Sequence, residues 1–294
     1  MTDSTIQYII AIDAGGSKTV ARLVNLKSNI SEDVTGGSGS LTNNTLAACN
    51  TIRSLIDDLL KCHGCDSSQT IVIIGAAGAE NDSNKAQLTS ALADLGLAKI
   101  IIKSDAFISL LGATNGEPGV VVALGTGSVA MRLDEEDRIT QFGGWGFRVG
   151  DQGSGAQLGR ALVTAVLQEF DRGHLASPLV SNTLDIIGRD RQAILRWVKA
   201  ATPRDFASLC PLVVTDDDTD PLAGRLIEQT LSDIDSLIHL ARGDTSLPVY
   251  LMGGLGKAIY DYLPLAKESW VDLARGDAVD GALLIGRRFL IQND

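Results

Sequence analysis

The residues that could do chemistry gather at glycine-rich turns, beginning with Asp13-Ala14-Gly15-Gly16-Ser17-Lys18-Thr19. The apolar run Ile9-Ile10-Ala11-Ile12 leads into Asp13, and Val20-Ala21-Arg22-Leu23-Val24-Asn25 follows the turn. That pattern reads as strand, small polar turn and strand. Gly15 and Gly16 let the backbone approach a ligand closely. Backbone N–H groups and the hydroxyls of Ser17 and Thr19 can donate to phosphate oxygens, and Lys18 adds a cation. Asp13 would repel a phosphate unless a metal ion lay between them, so the set suggests a nucleotide with Mg²⁺. A tight hairpin with a surface Asp is the plainer alternative. The turn is not a Walker loop, because Ser17 stands where that pattern has Gly before Lys, and it is not G-x-G-x-x-G.

A second turn repeats the layout. Val120-Val121-Val122-Ala123-Leu124 is a buried strand, Gly125-Thr126-Gly127-Ser128 a turn, and 129–133 a strand. The two hairpins lie about 110 residues apart and indicate an internal duplication with a phosphate-binding turn on each side of a cleft. Between them, Asp105 ends the apolar strand 100–102. A lone carboxylate there sits where α/β sheets bind ligands; the other reading of Asp105 is an N-cap on the next helix. Further on, Gly143-Gly144-Trp145-Gly146 and Gly150-Asp151-Gln152-Gly153-Ser154-Gly155 make a glycine-rich loop shaped for binding. Core packing is the alternative for Trp145.

These residues need elements to hold them. Helical spacing predicts helices over 45–62, 83–95, 156–172, 190–201, 222–242 and 278–290. All-apolar runs at 71–74, 100–102 and 248–252 predict strands covered on both faces. A loop is expected over 35–44, and a strand over 139–142. The order strand–helix–strand–helix marks an α/β fold. Two domains are expected, 1–115 and 116–294, with the helix near 278–294 packing back on the first and a helical insertion in the second.

Composition bounds the rest. With 294 residues, 45% of them hydrophobic, the chain can build sizeable cores. No run of 18 apolar residues occurs and Met1-Thr2-Asp3-Ser4 does not open a signal peptide, so neither a membrane span nor export is expected. Four cysteines make no disulfide scaffold and suit the cytoplasm. A net charge of −11 argues against nucleic acid as a partner. Cys62-His63-Gly64-Cys65 has no second C-x-x-C and reads as incidental. The acidic run 215–220 reads as a solvated loop and helix cap, because it lacks the Gly and terminal Glu of an EF-hand.

Taken together and in order, residues 12–19, Ser104-Asp105-Ala106, Leu124-Gly125-Thr126-Gly127-Ser128, Gly143-Gly144-Trp145-Gly146, 150–155 and Met252-Gly253-Gly254 resemble the BadF/BadG/BcrA/BcrD ATPase family. That family lies within the actin–hexokinase–Hsp70 superfamily, and the nearest branch looks like the N-acetylglucosamine and glucosamine kinases. The resemblance covers nearly the whole chain. It implies an α/β fold of two ribonuclease-H-like, actin/hexokinase-type domains with ATP and sugar in the cleft. It gives Asp13 to Mg²⁺ through water, and Gly15, Gly16, Ser17, Lys18 and Thr19 to the phosphates. Gly125, Thr126, Gly127 and Ser128 become the second phosphate loop, Gly253 and Gly254 face adenosine, and Asp105 is the catalytic base. Asn43 (or Asn44), Ala77, Gly78, Gly144, Trp145 and Asp151 join Asp105 at the sugar; a carboxylate suits sugar hydroxyls because it accepts several hydrogen bonds. The implied protein is a cytoplasmic, homodimeric ATP-dependent amino-sugar kinase acting on the 6-hydroxyl. An ATPase activator of a dehydratase or reductase, or a non-catalytic sugar and ATP sensor, are the alternatives.

Overall fold

The computed structural model describes residues 6–28, 30–42, 44–136, 138–215 and 220–293. The chain divides into two compact units, Met1–Glu117 with Arg275–Asp294, and Pro118–Ala274.

The first unit is built on a mixed sheet of order β3-β2-β1-β4-β5. Its strands are β1 (Tyr8–Ala14), β2 (Thr19–Asn25), β3 (Ser31–Gly36), β4 (Thr70–Ala76) and β5 (Lys99–Lys103). On one face, Ile10, Ile12, Val72 and Ile74 pack under α1 (Thr45–His63) and α2 (Asp82–Leu92). On the other, Ile9, Ala11, Ile71 and Ile73 meet Ile108 of α3 (Asp105–Thr114) and Val279, Ala282 and Leu283 of α11 (Ala278–Asn293). Burial on both faces explains why β1 and β4 read as unbroken apolar runs. α11 and α3 cross where Gly112 and Gly281 stand; a Cβ on either would collide with the other helix's flanking backbone at Asp277 or Ile108. β3 takes in Thr35 and Gly36, which the sequence places in a loop. It is a polar edge strand, Ser31-Glu32-Asp33 being exposed, and it lacks the alternation that marks a half-buried strand.

The second unit repeats the sheet. β6 (Gly119–Leu124), β7 (Ser128–Leu133), β8 (Ile139–Gly143), β9 (Val249–Met252) and β10 (Val271–Leu273) lie in the order β10-β9-β6-β7-β8. In both sheets the first strand pairs antiparallel with the second and parallel with the fourth. Its core gathers Val120, Val122, Leu124 and Leu251 with α4 (Gly155–Arg172) and α9 (Pro221–Arg242). Between those helices lie α5 (Pro178–Ile187), α6 (Arg191–Ala200), α7 (Pro203–Ala207) and α8 (Cys210–Val213), and α10 (Gly254–Ile259) follows β9. Residues 216–219 of the acidic run lie outside the described residues, while Asp220 caps α9 by accepting from Leu222 N–H at 2.8 Å. Among the described residues no helix is long and apolar enough to cross a membrane.

Candidate active site

In the first unit, β1 delivers Asp13 to the end of the sheet, opposite Val20 of β2 and Gly75 of β4. Its carboxyl is pushed up to about 6, first by burial, then by the nearby carboxylates of Asp105 and Asp277, with Lys18 pulling the other way. Asp13 therefore has two other acids close to it at this end of the unit. Asp105 opens α3, but the cap is Ser104, whose hydroxyl accepts from Phe107 N–H at 3.2 Å. The N-cap reading of Asp105 is thus corrected: the residue beside it does that work. Burial, then Glu80, raises the Asp105 carboxyl above the ordinary range, and the Ala106 N–H at 2.9 Å opposes them.

Asp277 is the residue the sequence reading missed. It and Asp280 exchange bonds at the start of α11: Asp280 N–H donates to Asp277 Oδ1 at 2.9 Å and Asp277 N–H to Asp280 Oδ2 at 3.0 Å. An acidic pair three residues apart before an apolar helix is the signal that could have found it. Arg22 of β2 clamps this corner, donating to Asp280 at 2.7 Å and to Asp33 of β3 at 2.6 Å.

The first turn closes through Gly15 N–H to Lys18 O at 3.1 Å, leaving Gly16, Ser17 and Lys18 exposed. Thr19 differs. It is fully buried, and its hydroxyl donates to Gly37 O at 2.8 Å, so that proton is engaged within the fold. Ala77 O accepts from Leu41 N–H at 2.9 Å, and Gly78 stands at φ +85°, where a Cβ would also come within 2.6 Å of Thr42 Oγ1. Asn43 lies outside the described residues; Asn44 caps α1, accepting from Ala47 N–H at 3.0 Å. Cys62 and His63 end α1 and Gly64 caps it in the left-handed region, with His63 Nε2 3.0 Å from Glu32.

In the second unit the turn is braced by the start of α4. Gly155 N–H donates to Gly125 O at 2.8 Å and Ala156 N–H to Thr126 O at 3.1 Å. Thr126 is exposed, whereas Ser128 is buried and its hydroxyl donates to Gln152 O at 2.7 Å. Asp151 adopts φ +58°, unusual for a residue with a side chain. Its Oδ1 accepts from Gly146 N–H at 2.9 Å, and its Oδ2 lies 2.8 Å from where a Cβ on Gly127 would be. Trp145 is 79% exposed, which excludes the core-packing reading. A cavity of about 330 Å³ brings together Ser128, Gly144, Trp145 and Asp151. A second, largely apolar cavity of about 460 Å³ opens beside the turn, lined by Gly125, Thr126, Gly155, Cys210, Gly254 and Leu255. Gly253, at φ +90°, passes so close to Leu124 O that a Cβ would not fit. Burial pushes the Cys210 thiol up to about 11, so it stays protonated and donates to Gly155 O at 3.1 Å.

Two sheets of one order and polarity, each with a glycine- and hydroxyl-bearing turn on its first hairpin, define the actin-like, ribonuclease-H-type class of α/β proteins. Within it the chain belongs to the BadF/BadG/BcrA/BcrD ATPase family, whose pattern matches residues 10–268, and membership implies ATP as ligand. The chain is 29% identical over 284 residues to a glucosamine kinase of Vibrio cholerae, covering 95% of both proteins. It is 28% identical over 214 residues to an N-acetylmuramic acid/N-acetylglucosamine kinase of Clostridium acetobutylicum, covering 71% of this chain and 70% of that one. A crystal structure from Chromobacterium violaceum, assigned as an N-acetylglucosamine kinase, superposes with a TM-score of 0.80 at 33% identity, covering 95% of this chain and 99% of that one.

Proposed function

We propose that the protein is an ATP-dependent kinase that phosphorylates the 6-hydroxyl of an amino sugar. The observation that carries this reading is Asp105: a half-buried carboxyl of raised proton affinity, at a strand's carboxyl end, beside Asp13, with helix capping left to Ser104. Similarity over 95% of the chain to a glucosamine kinase supports the substrate class.

Phosphoryl transfer depends on positioning and charge neutralisation more than on covalent chemistry. The bond from the γ-phosphorus to ADP oxygen breaks, a bond to the sugar oxygen forms, and Asp105 takes the hydroxyl proton. A base whose carboxyl lies above its ordinary range holds that proton better than an exposed carboxylate would. The exposed N–H groups and hydroxyls at Ser17 and Thr126 face the phosphates, and the apolar cavity by Gly253 and Gly254 receives the adenosine. Trp145 and Asp151 hold the sugar.

The residues present fit a magnesium ion at Asp13. Burial and two like charges make that carboxylate costly without a cation, and Mg²⁺ is commonly held by one or two carboxylates with water and phosphates. When bound, Mg²⁺ would neutralise phosphate charge there.

The test is ADP release over a panel of hexoses and amino sugars with Mg·ATP. Turnover is expected with an amino sugar and near background without one. Equal ADP release with every sugar and with none would overturn the kinase reading.

A further inference from the structure

The cavity that holds Trp145 and Asp151 has a wall with no role yet. It is α9, which contributes Asp233 and Ser236. The glycine-rich loop is seated directly on that helix. Gly153, at φ +76°, lies where a Cβ would come within 2.8 Å of the Ile234 side chain and 3.5 Å of Asp233 Cβ. The seat fixes Asp233 beside the loop that carries Asp151. Asp233 is half-buried, and its Oδ1 accepts from Gln229 Nε2 at 3.1 Å.

The charge is one-sided. Asp151 and Asp233 line a volume of about 330 Å³ that no Lys, Arg or His lines among the described residues, and Asp233 also borders a neighbouring cavity lined by Arg160. Carboxylates around a small concavity concentrate negative potential and draw in a cation. The exposed indole of Trp145 adds an attraction for positive charge across its face. A neutral 2-hydroxyl or 2-acetamido N–H donates to Asp233 but leaves its charge unbalanced, whereas an ammonium both donates and neutralises it.

We propose that Asp233 is a specificity-determining residue that pairs with the 2-ammonium group of the sugar, so that the preferred substrate carries a free amine: glucosamine over its N-acetylated form. This rests on the amino-sugar kinase reading. Ser236, one helical turn along α9, lines the same wall; its hydroxyl donates to Ser232 O at 2.9 Å, which leaves its oxygen to accept from the sugar ring.

The test compares glucosamine, N-acetylglucosamine and glucose with wild type and Asp233→Asn. Calorimetric binding at pH 6.5, where a primary amine is protonated, is read beside kcat/KM. Wild type should favour glucosamine about tenfold or more over both others, as one charge-assisted bond provides. Asp233→Asn should weaken glucosamine binding about tenfold and lose at least five times more on glucosamine than on either neutral sugar. Asp233→Glu should recover part of the preference, which a folding defect would not allow. A wild type that binds N-acetylglucosamine as well as glucosamine, or a variant that weakens all three sugars alike, overturns the proposal. Failure of the kinase reading looks different: no sugar is turned over, whatever calorimetry shows.

Discussion

In the first unit Thr19 stands opposite Ala14, and in the second Ser128 stands opposite Leu124. Aligned on those pairs, the place of Asp13 in β1 is taken by Ala123 in β6. Both hydroxyls are buried, and both donate to a carbonyl in the loop that follows the third strand of their sheet, Gly37 or Gln152. The two halves thus share a backbone hairpin and a latch that ties it to a downstream loop. They differ in charge. The first brings three carboxylates and Lys18 to its turn. The second turn has no charge of its own and borrows Asp151 from the downstream loop, against Gly127. A repeated scaffold can keep its backbone chemistry while one copy carries ionisable groups on the turn itself and the other brings them in from a downstream loop.

If charge is divided this way, removing acids from the first unit should cost more than removing them from the second. The largest effect is expected for Asp105→Asn, with kcat down by about two to four orders of magnitude, the usual loss for a general base. Steady-state kinetics would show it, and a variant above a tenth of wild-type kcat would remove Asp105 from that role.

Next comes Asp13→Asn, with kcat/KM for Mg·ATP down about 10- to 100-fold, as for groups that act on a metal through its shell. It also carries a stability signature. A carboxyl at 3.8 when unfolded and about 6 when folded binds more protons folded. Its neutral form is therefore favoured by folding, and stability falls as pH rises from about 4 to about 6. Discounted for solvent access, about 1–2 kcal/mol is lost above that window. Urea unfolding in chelator should find the Asn variant more stable by that amount at pH 7.5 and level at pH 4. Equal stability at both would mean that Asp13 is not strained by its neighbours.

Third is Asp151→Asn, which keeps a residue tolerant of positive φ and removes one charge. The sugar KM should rise about tenfold with little change in the KM for ATP. An unchanged sugar KM would leave the second cradle without a part in sugar binding. Smallest are the latches. Thr19→Val and Ser128→Ala should each cost about 1–2 kcal/mol, because each leaves a carbonyl without its buried donor. Denaturation midpoints test the pairing, and one costly and one neutral latch would break the equivalence.

Much of this was legible in the residues. β1, β4, β6 and β9 announce themselves because strands buried on both faces must be apolar throughout. Two of the four edges were not: β3 is polar, and β10 has three residues, whereas β5 and β8 fall on expected strands. α5 was missed although Ser177 and Pro178 form an ordinary cap and first position. The turns, Asp13, Asp105 and Asp151 stood out by type and setting. The engagement of Thr19 and Ser128 did not, since it depends on carbonyls 18 and 24 residues downstream. Asp277 was hidden for a similar reason: it reaches Asp13 only because Gly112 and Gly281 let α11 lie so close on α3.

That crossing also sets a timetable. The second unit is one continuous stretch, Pro118–Ala274, whereas α11, which covers Ile9, Ile71 and Ile73, is made after it. On a ribosome adding about 5–20 residues per second, roughly 10–40 s separate β4 from α11. Through that interval the part of that face not covered by α3 is bare hydrocarbon, open to chaperones and to other nascent chains. The sheet that leaves the ribosome first is the last to be closed.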